Sequence, residues 1–341
     1  GANTDTLQLS SGTFNFSNNS SILNIETIKT NSSGSTLNLT GQTEGFAVIG
    51  NSGQDIITGG SGNDTLSTGS GDDQLFGGLG DDILIINGTG DSVLDGGEGV
   101  DTFKVDMSHY VPPQDDQNFT YLANLSTGFA GSLNNPQHVN NDELKNIENI
   151  EYTGSISAHL YGDEGDNLIL GGSGADRLYG GDGNDILNLL GGQAQVSTQN
   201  GDDDVTISGG NQNVDTGTGE DIVIISDGAT SLSTGTNNDI IDVSGGKNTL
   251  NTGHGDDAVS LSGGTNTLNS GSGNDTISLI SGENIVNAGD GDDIITASGG
   301  INELDGGSGN DRLNIISSEV LTLPTTKDIE NFVISDTVHQ S

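Results

Sequence analysis

The chain has 341 residues, including 56 glycines, and carries a formal net charge of −42. This acidity argues against nucleic acid as a partner, and the complete lack of cysteine excludes disulfides and thiolate metal sites. No stretch approaches the roughly 18 continuous apolar residues of a membrane span, so we expect no membrane insertion. With 8 Phe, 5 Tyr and no Trp, the chain suits a thin repetitive core better than one globular core.

The first pattern along the chain is a set of nine-residue units between residues 50 and 104. We expect residues 1–49 to form metal-free β coils before it. The units read GNSGQDIIT, GGSGNDTLS, TGSGDDQLF, GGLGDDILI and GGEGVDTFK. One extra residue near Ile86 shifts the count, and Ser92 replaces the aspartate of one unit. The remaining aspartates should form metal sites on both edges of a coil: Asp55 and Asp73 on one, and Asp64, Asp82 and Asp101 on the other.

Residues 105–161 lose this period and gather three of the four prolines, three of the five histidines and four of the five tyrosines. We interpret them as an insertion between two repeat blocks, with a small core of its own. The histidines and tyrosines could suggest a catalytic or zinc cluster. Because neither HExxH nor GxSxG occurs, we expect the protein not to be an enzyme.

A second block, residues 162–316, is more regular than the first. Its units alternate between two kinds, and in one kind the sixth residue is aspartate at strict intervals of eighteen. The eighth and tenth residues counted from the start of these units are apolar, which is strand alternation. The pattern predicts two short parallel sheets around a shared core. The eight aspartates are Asp185, Asp203, Asp221, Asp239, Asp257, Asp275, Asp293 and Asp311.

The alternate units of this block differ at the same sixth position. There they carry Ala194, Gln212, Thr230 and then asparagine at residues 248, 266, 284 and 302. Stacked amides bond to one another without a cation, so we expect this second edge to be free of metal. Two positions depart from the pattern: Asn167 stands where aspartate is expected, and Asp176 has only Ala194 one coil later.

A shorter motif occurs three times where these units are absent. It reads NIETI at residues 24–28, NIENI at 146–150 and DIENF at 328–332. The last copy lies in a segment, residues 317–341, that we expect to form a terminal coil or edge. Its recurrence suggests either a middle piece of a longer array or two ends that stack, with copies of the chain joined end to end.

The aspartate column needs a counter-charge from outside the chain. A coil that returns every eighteen residues places successive carboxylates about 4.8 Å apart, where they repel by roughly 1 kcal/mol even at the dielectric of water. The chain offers 7 Lys+Arg against 49 Asp+Glu. Because the donors are all oxygens, the expected cofactor is calcium, with several ions bound.

The units GGSGNDTLS, GGSGADRLY and GGDGNDILN match the nonapeptide pattern of calcium-binding parallel β-rolls. On these motifs the chain resembles the RTX, or repeat-in-toxin, family of secreted bacterial proteins. The resemblance implies an all-β, right-handed parallel β-roll with 18-residue coils and two calcium-binding blocks. It also implies that each ion takes carbonyls and aspartates from two successive turns. One set would be Gly181, Gly183, Asp185, Thr198, Asn200 and Asp203; the next would be Gln199, Gly201, Asp203, Thr216, Thr218 and Asp221.

The resemblance also implies a function. We expect an extracellular, calcium-binding structural or adhesive protein, similar to the repeat regions of RTX adhesins and S-layers. It would fold on calcium binding outside the cell after type I secretion. A cell-surface glycan is one expected partner. Two alternatives remain open: a non-catalytic module of a secreted protease, lipase or alginate epimerase, and a self-assembling S-layer or filament subunit.

Overall fold

The computed structural model of the chain describes residues 5–18, 22–111, 119–133, 141–317 and 325–336. All regular structure in these residues is β-strand. The chain forms two compact units, Gly1–Gly172 and Ser173–Ser341. None of the described segments forms a helix long and apolar enough to cross a membrane.

Unit 1 contains seventeen of the described strands. Its first eleven strands are β1 Thr6–Gln8, β2 Gly12–Asn15, β3 Thr27–Lys29, β4 Ser35–Asn38, β5 Ala47–Ile49, β6 Ile56–Thr58, β7 Thr65–Ser67, β8 Gln74–Leu79, β9 Ile83–Ile86, β10 Val93–Glu98 and β11 Thr102–Asp106. The other six are β12 Tyr121–Asn124, β13 Phe129–Ser132, β14 Asn141–Lys145, β15 Asn149–Thr153, β16 Ala158–Tyr161 and β17 Leu168–Gly171.

The strands of unit 1 alternate between two parallel sheets. The odd strands β1 to β11 pair in series and continue into β15 and β17, while the even strands β2 to β10 pair in series and continue into β14. Inward side chains such as Ile57, Leu66, Leu75 and Leu84 are fully buried between the sheets. This alternation of strands is a solenoid, in which each coil contributes one strand to each sheet.

The insertion rejoins the solenoid instead of leaving it. Strands β12, β13 and β14 form an antiparallel meander, and β14 then pairs parallel with β10 while β15 pairs parallel with β11. Buried Tyr121 and Tyr152 stack beside it with ring centroids 5.9 Å apart. Residues 141–153 thus form one more coil of the solenoid. The sequence did not predict this coil, because the nine-residue period is lost in the insertion.

Unit 2 contains the other fourteen described strands. They are β18 Arg177–Asp182, β19 Ile186–Leu189, β20 Gln193–Asn200, β21 Asp204–Asp215, β22 Ile222–Ser233, β23 Ile240–Val243, β24 Lys247–His254, β25 Ala258–Ser272, β26 Thr276–Asp290, β27 Ile294–Ala297, β28 Ile301–Ser308, β29 Arg312–Ser317, β30 Thr325–Lys327 and β31 Asn331–Asp336. Parts of the predicted terminal segments, residues 1–4, 19–21, 318–324 and 337–341, lie outside the described residues.

Successive coils of unit 2 stack in register with a shift of eighteen residues. Strands β21, β22, β25 and β26 are long enough to contribute to both sheets. The predicted inward residues are buried, with exposures between 0% at Leu187 and 6% at Ala297. The all-β parallel solenoid expected from the periodicity is therefore confirmed, and its turns bring the sixth residues of the units into columns along the edges.

Candidate metal sites

The turns at the aspartate edge require a left-handed backbone at their second and fourth residues. In the turn before Asp221, these residues are Gly217 with φ 96° and Gly219 with φ 135°. Two non-glycine residues of this column adopt the same conformation: Gln199, with φ 76°, and Asn237, with φ 82°. Glycine adopts this conformation without the steric cost that a Cβ would bring. Asn237 keeps the conformation because asparagine tolerates it better than most residues.

From Asp203 onward, each buried aspartate of the column accepts a hydrogen bond from the backbone of the preceding coil. The N–H of Asp221 donates to Oδ1 of Asp239 at 2.9 Å, and the N–H of Asp239 donates in the same way to Asp257. Identical bonds connect the column from Asp185 to Asp311. These aspartates are 0–1% exposed. The spacing of eighteen therefore yields one continuous carboxylate column.

The second oxygen of these carboxylates has no protein partner. It is buried and accepts no hydrogen bond in ten aspartates: Asp73, Asp82, Asp101, Asp203, Asp221, Asp239, Asp257, Asp275, Asp293 and Asp311. A buried charged oxygen without a partner costs several kcal/mol. Such a row therefore fits a series of cations bound between the coils.

The electrostatics of the column agree with this fit. Burial, and to a lesser extent the charges of Asp221 and Asp257, raises the pKa of Asp239 to about 7. In unit 1, burial likewise raises the pKa of Asp82 to about 7, with smaller contributions from Asp64 and Asp101. Without a counter-ion, these carboxylates would therefore be partly protonated near neutral pH.

The first aspartate of each unit 1 column has a different environment. Asp55 accepts bonds from the N–H of Ser35 at 2.7 Å and the hydroxyl of Thr30 at 3.2 Å. Asp64 accepts from the N–H groups of Phe46 and Gly60, at 2.7 and 2.8 Å. Both oxygens of these two carboxylates are already used, so their role as metal ligands remains a prediction.

The backbone carbonyls expected as ligands lie in successive turns of the column. The carbonyl of Gln199 accepts from the N–H of Thr218 at 2.8 Å, and the carbonyl of Thr218 accepts from the N–H of Gly201 at 2.9 Å. Gly201 stacks directly over Gly183, with no room between them for a Cβ. Because a carbonyl has two lone pairs, an inter-coil bond leaves one for an ion. The individual ligand sets remain predictions.

A buried row of hydroxyls lies beside the carboxylates and was not predicted from the sequence. The first residue of each turn donates its hydroxyl to the carbonyl one coil later: Thr198 to Thr216 at 2.9 Å, and Thr234 to Thr252 at 2.9 Å. Ser270 continues the row to Ala288. The recurrence of Thr or Ser at the first position was the sequence signal for this row.

The second edge of unit 2 has a different chemistry. The amide of Asn248 donates to Asn266 at 2.9 Å, and Asn266 donates in turn to Asn284 at 2.8 Å. The second amide hydrogen of Asn248 and of Asn266 bonds to the carbonyls of Gly245 and Gly263. The predicted amide ladder is thus present, and its neutral groups satisfy one another.

The two positions that depart from the pattern also lie on the edges. The amide of Asn167 donates to the carbonyl of Glu148 at 2.7 Å, a bond that a carboxylate could not make. Asp176 is buried, with Ala194 one coil later. Sequence reasoning missed Asp142, which accepts the N–H of Ser92 at 2.8 Å and continues the column that Ser92 interrupts.

No group of three acidic or histidine side chains converges on one point within the described residues. A rung of the column brings two carboxylates together, so its remaining ligands would be backbone carbonyls and water. An all-oxygen donor set of this kind suits a hard cation such as Ca²⁺. Fold and edge together define a parallel β-solenoid with a cation-binding carboxylate column.

The family is shown by a direct match. The model of the RTX calcium-binding nonapeptide repeat matches residues 49–84, 88–105, 160–194 and a series of overlapping copies from 225 to 313, more than half of the chain. The chain belongs to this family. No curated protein matches it. Repeats of this family imply calcium binding, and the unpartnered aspartate oxygens are the groups that would hold the ions.

Proposed function

We propose that this chain is an extracellular structural or adhesive protein whose solenoid folds when calcium binds. The observation that carries the proposal is the row of buried, unpartnered Oδ2 atoms along the aspartate column. Repeats of this family are typical of secreted proteins, which supports a location outside the cell.

The proposed mechanism couples ion binding to folding. At low calcium, repulsion along the column opposes the stacking of coils, because the chain has too few basic residues to compensate it. At high calcium, each ion binds only when two successive turns are in place. The free energy of binding is then also free energy of folding.

Circular dichroism against calcium concentration tests this mechanism. We expect a cooperative gain of β signal with calcium, its reversal by a chelator, and little response to magnesium. Magnesium demands a tighter octahedron than carbonyl-rich turns provide. A native β spectrum that is unchanged by prolonged chelation at neutral pH would contradict calcium-linked folding.

The adhesive part of the proposal is supported by a regular polar surface on unit 2. Exposed asparagines bond in a ladder, with Asn269 donating to Asn251 and Asn287 donating to Asn269, each at 2.8 Å. Thr249 and Thr267 pair on the neighbouring position of the same strands. Such a rigid array of amides and hydroxyls suits a glycan. Binding to immobilised glycans, with Asn269→Leu as the variant that should lose it, tests this role.

A further inference from the structure

We propose two additional calcium sites where an aspartate column meets the short D/N-I-E motif. One lies between Asp101 and Glu148 in unit 1, and the other lies between Asp311 and Glu330 in unit 2. In each site a glutamate takes the place of the second aspartate. This inference rests on the proposed calcium-dependent function.

The motif forms a turn with a distinctive backbone. Its first residue has a left-handed conformation in all three copies, with φ 57° at Asn24, 47° at Asn146 and 46° at Asp328. The glutamate follows two residues later. The turn therefore uses three residues where the turn of a regular nine-residue unit uses six, and the longer side chain of glutamate compensates for the shorter turn.

The glutamate makes the bond that aspartate makes in a regular rung. The N–H of Asp101 donates to Oε2 of Glu148 at 2.7 Å, and the N–H of Asp311 donates to Glu330 at 2.8 Å. The regular bond from Asp82 to Asp101 is also 2.7 Å. The strand register agrees, since the residues that follow, Thr102 and Asn149, are paired. Each glutamate is thus the next member of its carboxylate column.

The carbonyl of the motif's left-handed residue lies where the carbonyl of the first residue lies in a regular turn. A Cβ placed on Gly77 would collide with Oδ2 of Asp82 and with the carbonyl of Gly96, the first residue of the next turn. A Cβ on Gly96 would collide in the same way with Oδ2 of Asp101 and the carbonyl of Asn146.

Unit 2 repeats this arrangement at its own motif. A Cβ on Gly306 would collide with Oδ2 of Asp311 and the carbonyl of Asp328. In both units, the space beside the Cα of the first residue of the turn, Gly96 or Gly306, is therefore bordered by an aspartate oxygen and by a carbonyl of the following turn.

An unpartnered charged oxygen points to a ligand at both places. Asp101 and Asp311 are 0% exposed, and Oδ2 of each accepts no hydrogen bond. The lysine nearest in sequence to the second site, Lys327, pairs instead with Asp305 at 2.6 Å and Asp328 at 2.9 Å. A second carboxylate on the next coil adds to the uncompensated charge, so a divalent cation is the fitting ligand.

The short turn also predicts that these sites bind calcium more weakly than regular rungs. It offers the carbonyl of its first residue but lacks the longer loop that carries a second one. More of the ligands would then be water, and fewer protein ligands lower calcium affinity. We expect both sites to fill at higher calcium than the rest of the column.

Calcium counting on the full chain tests the proposal. Bound calcium is measured by equilibrium dialysis at saturating calcium for the wild type, Glu148→Gln, Glu330→Gln and the double variant. Glutamine keeps an acceptor for the aspartate N–H but removes the charge. We expect each single variant to lose one ion and the double variant to lose two.

Glu98→Gln and Glu303→Gln are the matched controls, because both residues are exposed and lie outside the columns; they should keep the wild-type count. An unchanged count in the double variant overturns the inference while leaving the proposed function intact. A wild type that binds no calcium overturns both. If a glutamine variant lacks the native spectrum, Glu148→Asp replaces it: the charge stays but the reach is lost, so one ion should again be missing.

Discussion

At the scale of the residue, the fifth and sixth side chains of a turn accept hydrogen bonds from opposite neighbouring coils. The fifth residue of a turn accepts from the following coil, as Asn184 does from the N–H of Asp202 at 2.9 Å. The sixth accepts from the preceding coil, as Asp203 does from the N–H of Asp185 at 2.8 Å. Short side chains with an oxygen suit both bonds. The preference for Asn and Asp at the fifth position therefore reflects this outer row, which the sequence analysis did not foresee.

Gln199 gives a test of backbone strain at this scale. Its left-handed φ of 76° costs a non-glycine residue about 1 kcal/mol. Because the larger backbone entropy of glycine in the unfolded chain offsets part of the relieved strain, we expect Gln199→Gly to raise the free energy of unfolding by at most about 0.5 kcal/mol in urea denaturation at fixed, saturating calcium. Gln195, an exposed strand residue of the same coil, is the control, and Gln195→Gly should lower stability by about 0.5–1 kcal/mol. Equal losses from both variants would count against strain at Gln199.

At the scale of the element, the two edges of unit 2 solve the same stacking problem differently. The aspartate edge stacks charged groups with one oxygen unpartnered, and the other edge stacks amides that act as donor and acceptor in turn. The asparagine ladder needs no ion because each amide provides both roles. Calcium dependence should therefore belong to the aspartate edge.

A substitution in the amide ladder tests this difference. Asn266 is 1% exposed and donates to both Gly263 and Asn284. Asn266→Asp removes both donors and buries a charge, so we expect a loss of about 3 kcal/mol at saturating calcium, measured by thermal or urea unfolding. Asn269→Asp, in the exposed ladder of the same strand, should cost less than about 1 kcal/mol. A smaller loss at Asn266 than at Asn269 would refute the role of the buried ladder.

The periodic elements were predictable from sequence. Their spacing alone determines which side chains are buried and at which edge of the solenoid each turn residue lies. The position of Asp239 in its column and the amide of Asn266 in its ladder follow directly from the interval of eighteen. Asp142 and Glu148 were not predictable as column members, since 50 and 47 residues separate them from Ser92 and Asp101. Only the pairing of β14 and β15 with the earlier coils restores the register that the insertion hides.

At the scale of the whole molecule, uncompensated charge is the dominant feature. The formal net charge is −42, and its most buried part lies in the aspartate columns. Burial raises the pKa of Asp73, Asp221 and Asp275 to about 6, against an ordinary value of 3.8. Protons and calcium ions are therefore alternative partners for the same carboxylates.

This competition gives a pH prediction for the calcium-free chain. Because the pKa values of the buried aspartates are higher in the folded state, the folded chain binds more protons than the unfolded chain between about pH 4 and 7. Stability without calcium should thus fall as the pH rises through this window. Circular dichroism in chelator should show more β structure at pH 5.5 than at pH 8. Saturating calcium should remove most of this dependence, and a pH-independent signal in chelator would contradict the argument.

The contrast between the edges of unit 2 has a consequence for how a coil comes apart. When ions leave, only the aspartate margin loses its partners, while the amide bonds of Asn248, Asn266 and Asn284 on the opposite margin do not depend on an ion. As calcium falls, neighbouring turns would then separate first at the aspartate margin and last at the asparagine margin. A chain that opens in this order keeps its repeats in register for as long as the amide bonds last. Similar repeats then refold without mispairing when calcium returns.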